Sequence, residues 1–398
     1  PVQLGSGAGW FAADFTGVNN YSGFGLRRPT IAAGTTSGYL FGFGTGTNGN
    51  LGQNDTAHHS NPIQIGTSNA WAHVAGAGGT FLVGTNGTLW ACGDNSGGNL
   101  GDGTVVLRSS PVQIGSLTDW SKVYNATSYT NVAIKTDGTL WGWGVNDEGQ
   151  VGDGSTTARS SPVQVGALTT WSKANAGDAF GAAIKTDGTL WMWGAATEGE
   201  LGQGNTTSVS SPVKVGSQTD WATVSCHNQH VLATKTTGKL YAWGANNYGG
   251  LGLNDTANRS SPVQVGSLTD WGTTQGQASG GNWHSHAVKS DGTLWSWGIN
   301  EYGQTGHNNA GSGTYLSSPV QVGTLTDWST LMDSDGTGLH MCAIKTDGTL
   351  WSMGKNTNGR LGNNSTANAS SPVQVGHHTD WQMVSGTSTP IGIRKAYK

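Results

Sequence analysis

Histidines are the residues best suited to chemistry in this chain. His227 and His230 stand three apart, His284 and His286 two apart, and His340 follows further on. Imidazole is a common zinc ligand, and strand residues at i and i+2 share a face, so these spacings suit metal ligation. The competing assignment is a set of buried histidines whose ring nitrogens are satisfied by backbone, and it needs no ion. Asp333 and Asp335 resemble the start of a calcium loop, but the twelve-residue pattern and its closing glutamate are missing. Cys92, Cys226 and Cys342 are odd in number and irregularly spaced, which matches neither a disulfide framework nor a zinc site. The expectation is therefore no metal and no cofactor.

Catalysis finds no better footing. Asp119, Asp220, Asp270, Asp327 and Asp380 each precede a tryptophan, and Asp137, Asp187, Asp291 and Asp347 each sit in a turn. Such recurrence marks structural acids rather than a facing pair for hydrolysis. There is no Gly-x-Ser-x-Gly elbow and no His-Glu-x-x-His. Lys135, Lys185, Lys235, Lys289 and Lys345 recur at one position. A ring of ammonium groups would attract an anion, but the expectation is that the stems cover tryptophan while the heads stay in water. The chain is expected not to be an enzyme.

The elements that must position these residues come from a repeat. A glycine closing each Leu-Trp-x-Trp-Gly-like stretch falls at 44, 93, 144, 194, 244, 298 and 354, and a proline recurs at 1, 62, 111, 162, 212, 262, 319 and 372. The units run approximately 1–61, 62–110, 111–161, 162–211, 212–261, 262–318 and 319–371, with a partial unit at 372–398. Pro-Val-Gln-Val-Gly reads as an edge strand led by its proline. Ala-Ile-Lys-Thr-Asp-Gly-Thr-Leu-Trp reads as two strands around an Asp-Gly turn. A further short strand starts at the tryptophan after Thr-Asp. Four short strands per unit, repeated around a ring, make an all-β propeller. The sequence predicts seven four-stranded blades, with the N- and C-terminal segments completing one blade between them. Eight blades, or an extra partial blade, is the alternative.

Composition agrees. There are 66 glycines and 18 tryptophans, charged residues are 11%, and the net charge is −4. Seventeen tryptophans fall at framework positions and only Trp283 does not. No basic stripe suits nucleic acid, and no apolar run is long enough to insert in a membrane. The chain begins Pro1-Val2-Gln3 without methionine, as expected of a processed or partial chain.

The pattern Trp-x-x-Val, Gly-x-x-His-x-x-Ala-Ile, Asp-Gly-x-Leu-Trp-x-Trp-Gly-x-Asn-x-x-Gly-Gln-Leu-Gly-x-Gly recurs along nearly the whole chain and resembles the regulator of chromosome condensation repeat. The resemblance implies a seven-bladed propeller, with His230, His284 and His340 at the family's own histidine slot and Thr130 or Phe180 there in other copies. The family carries unrelated functions, among them nucleotide exchange on a small GTPase, photoreception and enzyme inhibition, so fold alone does not choose. The near-identical, Gly/Ser/Thr-rich copies are most similar to the bacterial and phage branch. The expected role is a non-enzymatic display or attachment scaffold of a phage particle or bacterial surface. Localisation would then be the virion or the cell surface. The alternatives are a soluble regulator or inhibitor holding one protein partner and, least favoured, an enzyme acting on glycans.

Positions that differ between copies are free of the framework. The most variable stretch covers 124–129, 175–180, 226–230, 275–286 and 332–341. Trp283 is the expected centre of a patch for a protein or glycan, or for other subunits of an assembly. His284, His286, His227, His340, Asp333, Tyr129 and Phe180 are expected around it.

Overall fold

The computed structural model describes residues 38–126, 129–332 and 338–395. Asp333 and the irregular start of the first unit lie outside these residues. Apart from 3-10 turns at Thr47–Gly49 and Thr357–Gly359, every regular element among them is a β-strand.

The fourth unit shows how the sequence makes a sheet. Strands Trp171–Gly177, Phe180–Lys185, Leu190–Gly194 and Val209–Lys214 pair antiparallel in chain order. Between the second and third, Gly188 turns the chain at φ 75°, with no room for a Cβ against the Thr219 carbonyl of the next unit. Asp187 Oδ1 accepts the backbone N–H of Thr189 at 3.0 Å and its hydroxyl at 2.6 Å. The Thr189 hydroxyl in turn accepts the Trp191 indole N–H at 2.9 Å. Asp137, Asp291 and Asp347 repeat this arrangement.

The outer strand corrects one expectation. It begins before its proline, as in Arg159–Gln164 around Pro162, and the pairing shifts register between Arg159 and Val163. The proline sits in a bulge, where its missing N–H costs no ladder bond.

Five four-stranded sheets are separate, and one sheet has eight strands. In the latter, Trp381–Ser385 and Ile391–Lys395 join Gly38–Gly44 and His59–Gln64, so strands from both ends of the described chain share one sheet. A single residue pair, Gly38 with Trp71, links that set to the four strands Trp71–Gly76 through Arg108–Gln113. Consecutive sheets touch through their first and second strands, and the contact between Trp381–Ser385 and Trp71–Gly76 closes the circuit.

Each hydrophobic cluster draws on neighbouring units, as where Phe180, Met192 and Leu201 meet Trp221, Val231 and Trp243. The third-strand tryptophans Trp143, Trp193, Trp243 and Trp297 are fully buried. Their indole N–H groups donate to the backbone carbonyls of Asn99, Gln150, Glu200 and Gly250 in the preceding unit, at 3.0, 2.8, 2.6 and 2.8 Å. Four sheets are thus pinned to their predecessors by an aromatic wedge with a satisfied polar end.

Candidate functional site

Antiparallel pairing puts the turn between first and second strands of every unit at one end of its sheet. In five units the residue before the second strand uses its backbone in the same way. The carbonyls of Tyr129, Ala179, Gln229, Trp283 and Leu339 accept the N–H groups of Val145, Ala195, Ala245, Ile299 and Lys355 at 2.8–3.1 Å. The side chains carried there differ completely. Tyr129 and Trp283 hold φ of 62° and 61°, a left-handed conformation that costs a bulky residue energy. Both are half-buried. The Trp283 ring lies 5.0 Å from the Tyr248 ring, tilted by 39°. The turns are also stitched together: Asp178 N–H donates to His227 O at 3.1 Å, and Asn282 N–H donates to Gly338 O at 3.0 Å.

Trp283 and Tyr129 are therefore placed at this face, whereas His227, His284, His286, His340 and Phe180 are not. All five are 0–1% exposed. Second strands are covered by neighbouring sheets on both sides, so both alternating sets of side chains turn inward, unlike a strand with one wet face. These histidines form a layer beneath the face. His230 Nε2 bonds the Ser285 hydroxyl at 2.9 Å, and His286 Nε2 bonds the Gln304 carbonyl at 2.9 Å. The His227 and His230 rings are 4.7 Å apart and the His284 and His286 rings 5.1 Å apart. Among the described residues no group of three or more His, Cys, Asp or Glu side chains is arranged to hold a metal ion. Burial drives the pKa of His230 down to about 3 and of His284 to about 4, and holds His286 and His340 well below the ordinary value.

The opposite face carries the Asp-Gly turns and the lysines, and here the expectation of wet ammonium heads is corrected. Lys135, Lys235, Lys289 and Lys345 are buried. Each pairs with an aspartate at 3.0–3.3 Å and lies over aromatic rings. Asp119, Asp220, Asp270 and Asp327 each neutralise a lysine wedged between rings, and Asp380 pairs with Arg394 in the same way.

Sequence reasoning missed a plug. In the sixth unit Trp271 makes only an isolated bridge to Lys289, and its short strand is Ala278–Gly280. The intervening residues loop inward. Gln275 Nε2 donates to Val224 O at 2.8 Å, and Gly276 O accepts Leu331 N–H at 2.7 Å. A cavity of about 140 Å³ beside them is lined by His73, Lys122, Thr330 and Met383, which come from four different units around the ring. The length of the insertion signalled a special copy, but nothing in it distinguished an inward from an outward loop.

Glu200 replaces the glutamine found at Gln150 and Gln304. Its carboxylate accepts the Glu198 N–H at 2.8 Å, as Gln150 Oε1 accepts that of Glu148 and Gln304 Oε1 that of Tyr302. Burial pushes its pKa from 4.5 up to about 7. A raised carboxyl pKa favours folding while the group is protonated, and that advantage is lost as pH rises from 4.5 through 7. Glu200→Gln should therefore gain on the parent by roughly 3 kcal/mol between pH 4.5 and pH 8. Denaturant melts of both proteins across that range check this; parallel curves would refute it.

Comparison with known proteins places these features. The RCC1-like domain model matches residues 132–389, and the regulator of chromosome condensation (RCC1) repeat model matches residues 37–83. The ultraviolet-B receptor UVR8 of Arabidopsis thaliana is 38% identical over 86 residues, covering 22% of this chain and 19% of the receptor. The chain thus aligns with about a fifth of that curated relative. Among solved structures, human WBSCR16 superposes with a TM-score of 0.77 at 18% identity, over 91% of this chain and 100% of that one. Prp20p from Saccharomyces cerevisiae superposes with a TM-score of 0.76 at 16% identity, over 93% of both chains. Both likenesses are of fold.

Proposed function

Since the chain belongs to the RCC1-like domain family, we propose that it is a non-catalytic binding ring that holds a protein partner on the face formed by the turns between first and second strands. We read the eight-stranded sheet as two sets, which would make seven blades among the described residues, one of them built from strands near both ends of that stretch. The observation that carries the reading is the slot shared by Tyr129 and Trp283. There the backbone does the same job in five units while the side chain varies from copy to copy, and two copies place a half-buried aromatic ring at a strained left-handed residue. Amphipathic rings of this kind are the usual anchors of protein interfaces. The structure of Prp20p is described together with its binding to Gsp1p and histones, which gives the fold a precedent for protein partners.

Trp283→Ala tests this. With the partner in hand, affinity should fall by roughly 2 kcal/mol or more, about thirtyfold, while the melting temperature changes little. A variant that melts several degrees lower yet binds at full affinity would make Trp283 a packing residue.

Display on a phage particle or bacterial surface is the second reading. It is favoured by low charge and by near-identical Gly/Ser/Thr-rich copies. Co-sedimentation of the chain with particles or envelopes from its native source would support it, and a freely soluble chain bound to one protein would remove it.

A further inference from the structure

Four units share an ion pair that another has lost. The Nζ atoms of Lys135, Lys235, Lys289 and Lys345 lie 3.3, 3.0, 3.3 and 3.3 Å from the carboxylates of Asp119, Asp220, Asp270 and Asp327. The fourth unit keeps the lysine and the backbone around it. Trp171 pairs with Lys185 as Trp120 does with Lys135. Thr186 N–H donates to Thr170 O at 2.8 Å, as Thr136 N–H does to Asp119 O. Only the carboxylate is missing, because exposed Thr170 stands where the others have aspartate. Lys185 Nζ sits 3.8 Å from the Trp191 ring centroid and 5.0 Å from that of Trp171. It is half-exposed where its counterparts are buried, and it makes no ion pair among the described residues.

The vacancy opens on a cavity of about 690 Å³ lined by Lys185, Lys173, Ser172, Thr236, Trp221 and Asp187, among others. Lys173 donates to the Ala222 carbonyl, and Lys214 adds positive field to Lys185. Asp187 is the acid of the lining, and its Oδ1 is already held by Thr189. The notch is thus cationic and hydroxyl-lined with an aromatic wall, and it lacks the one group that its sister units carry. A charge-assisted bond to a partly desolvated ammonium is among the stronger polar contacts a protein makes.

We propose that this notch receives the carboxylate of an acidic segment of a partner protein, completing in trans the ion pair that four other units complete in cis. The proposal rests on reading the ring as a protein-binding module, but not on the Trp283 face, which lies at the other end of the sheets.

The probe is a blocked, fluorescent peptide Ser-Leu-Thr-Asp-Trp-Gly, the sequence with which residues 267–272 bring Asp270 to Lys289. It is titrated against the full chain alongside its Asp→Asn version. The acidic peptide should bind at least tenfold tighter than the amide. Lys185→Met should erase the difference, and Thr170→Asp should block the site by restoring the internal pair, with an unchanged or higher melting temperature. Trp283→Ala should leave the titration unaltered, which separates failure of this site from failure of the other face. Absence of binding, equal binding of the two peptides, or indifference to Thr170→Asp would overturn the proposal. Saturation by free glucuronate with no peptide binding would reassign the notch to acidic glycans and overturn it as well.

Discussion

On acidification from pH 7 to pH 5 the protein should lose several kcal/mol of folding stability, a large part of the roughly 5–15 kcal/mol that holds a typical domain folded. The cause is five buried histidines, His73, His230, His284, His286 and His340, each held neutral chiefly by burial. His73 and His284 are lowered from 6.5 to about 4. A depressed histidine pKa gives stability that is whole above pH 6.5 and drains away as pH falls toward the folded value. At pH 5 a histidine shifted from 6.5 to about 4 or lower costs roughly 2 kcal/mol by linkage, so His73, His230 and His284 together cost roughly 6 kcal/mol, and His286 and His340 act in the same direction. Glu200 opposes this by roughly 2 kcal/mol over the same interval. Thermal melts at half-unit steps should show a steep decline beginning near pH 6.5. His284→Thr, which installs the residue the third unit carries at Thr130, should move the acid midpoint downward. A melting temperature that is flat between pH 7 and pH 5 would refute the account.

Removal of residues 381–395 should abolish cooperative folding. Those residues supply two of the four strands in the set that contains Gly38–Gly44, including the buried Trp381, Val384, Ile391 and Ile393. Arg394, doubly bonded to Asp380 at 2.7 and 3.0 Å, is lost with them. Truncating even one such core residue to alanine commonly costs 2–5 kcal/mol, so deleting four exceeds the stability of a typical domain. The deletion also bares the edge of Gly38–Gly44 and the flank of Trp71–Gly76, a template for aggregation. Size-exclusion chromatography should find aggregate and calorimetry no single transition. A monomer melting at the parental temperature would show that the ring does not need its closing strands.

The repeat was legible because a blade needs the same glycine, tryptophan and Asp-Gly turn each time, and those residues recur at fixed spacing. Trp283 stood out for the converse reason, as the one tryptophan the framework does not use. What escaped was direction. His284 and His286 alternate as expected of a strand, but period two cannot say that both sides of that strand are covered. Lys135 and Asp119 are sixteen residues apart, and only the register of Trp120 with Lys135 makes them a buried pair. Once that pairing is known, Thr170 becomes readable as a missing carboxylate. The proline bulge escaped likewise, since Arg159 and Pro162 look like loop and strand start until the partner strand is in place.

The central claim is that the face bearing Tyr129 and Trp283 meets a protein partner. It is tested most directly by photo-crosslinking in extract of the native source, with a crosslinking amino acid at Tyr129, at Trp283 and, as a control, at Ser160 on an outer strand. The account predicts that positions 129 and 283 capture the same protein and position 160 does not. Capture of no protein from either face position, or the same capture from all three, would contradict it.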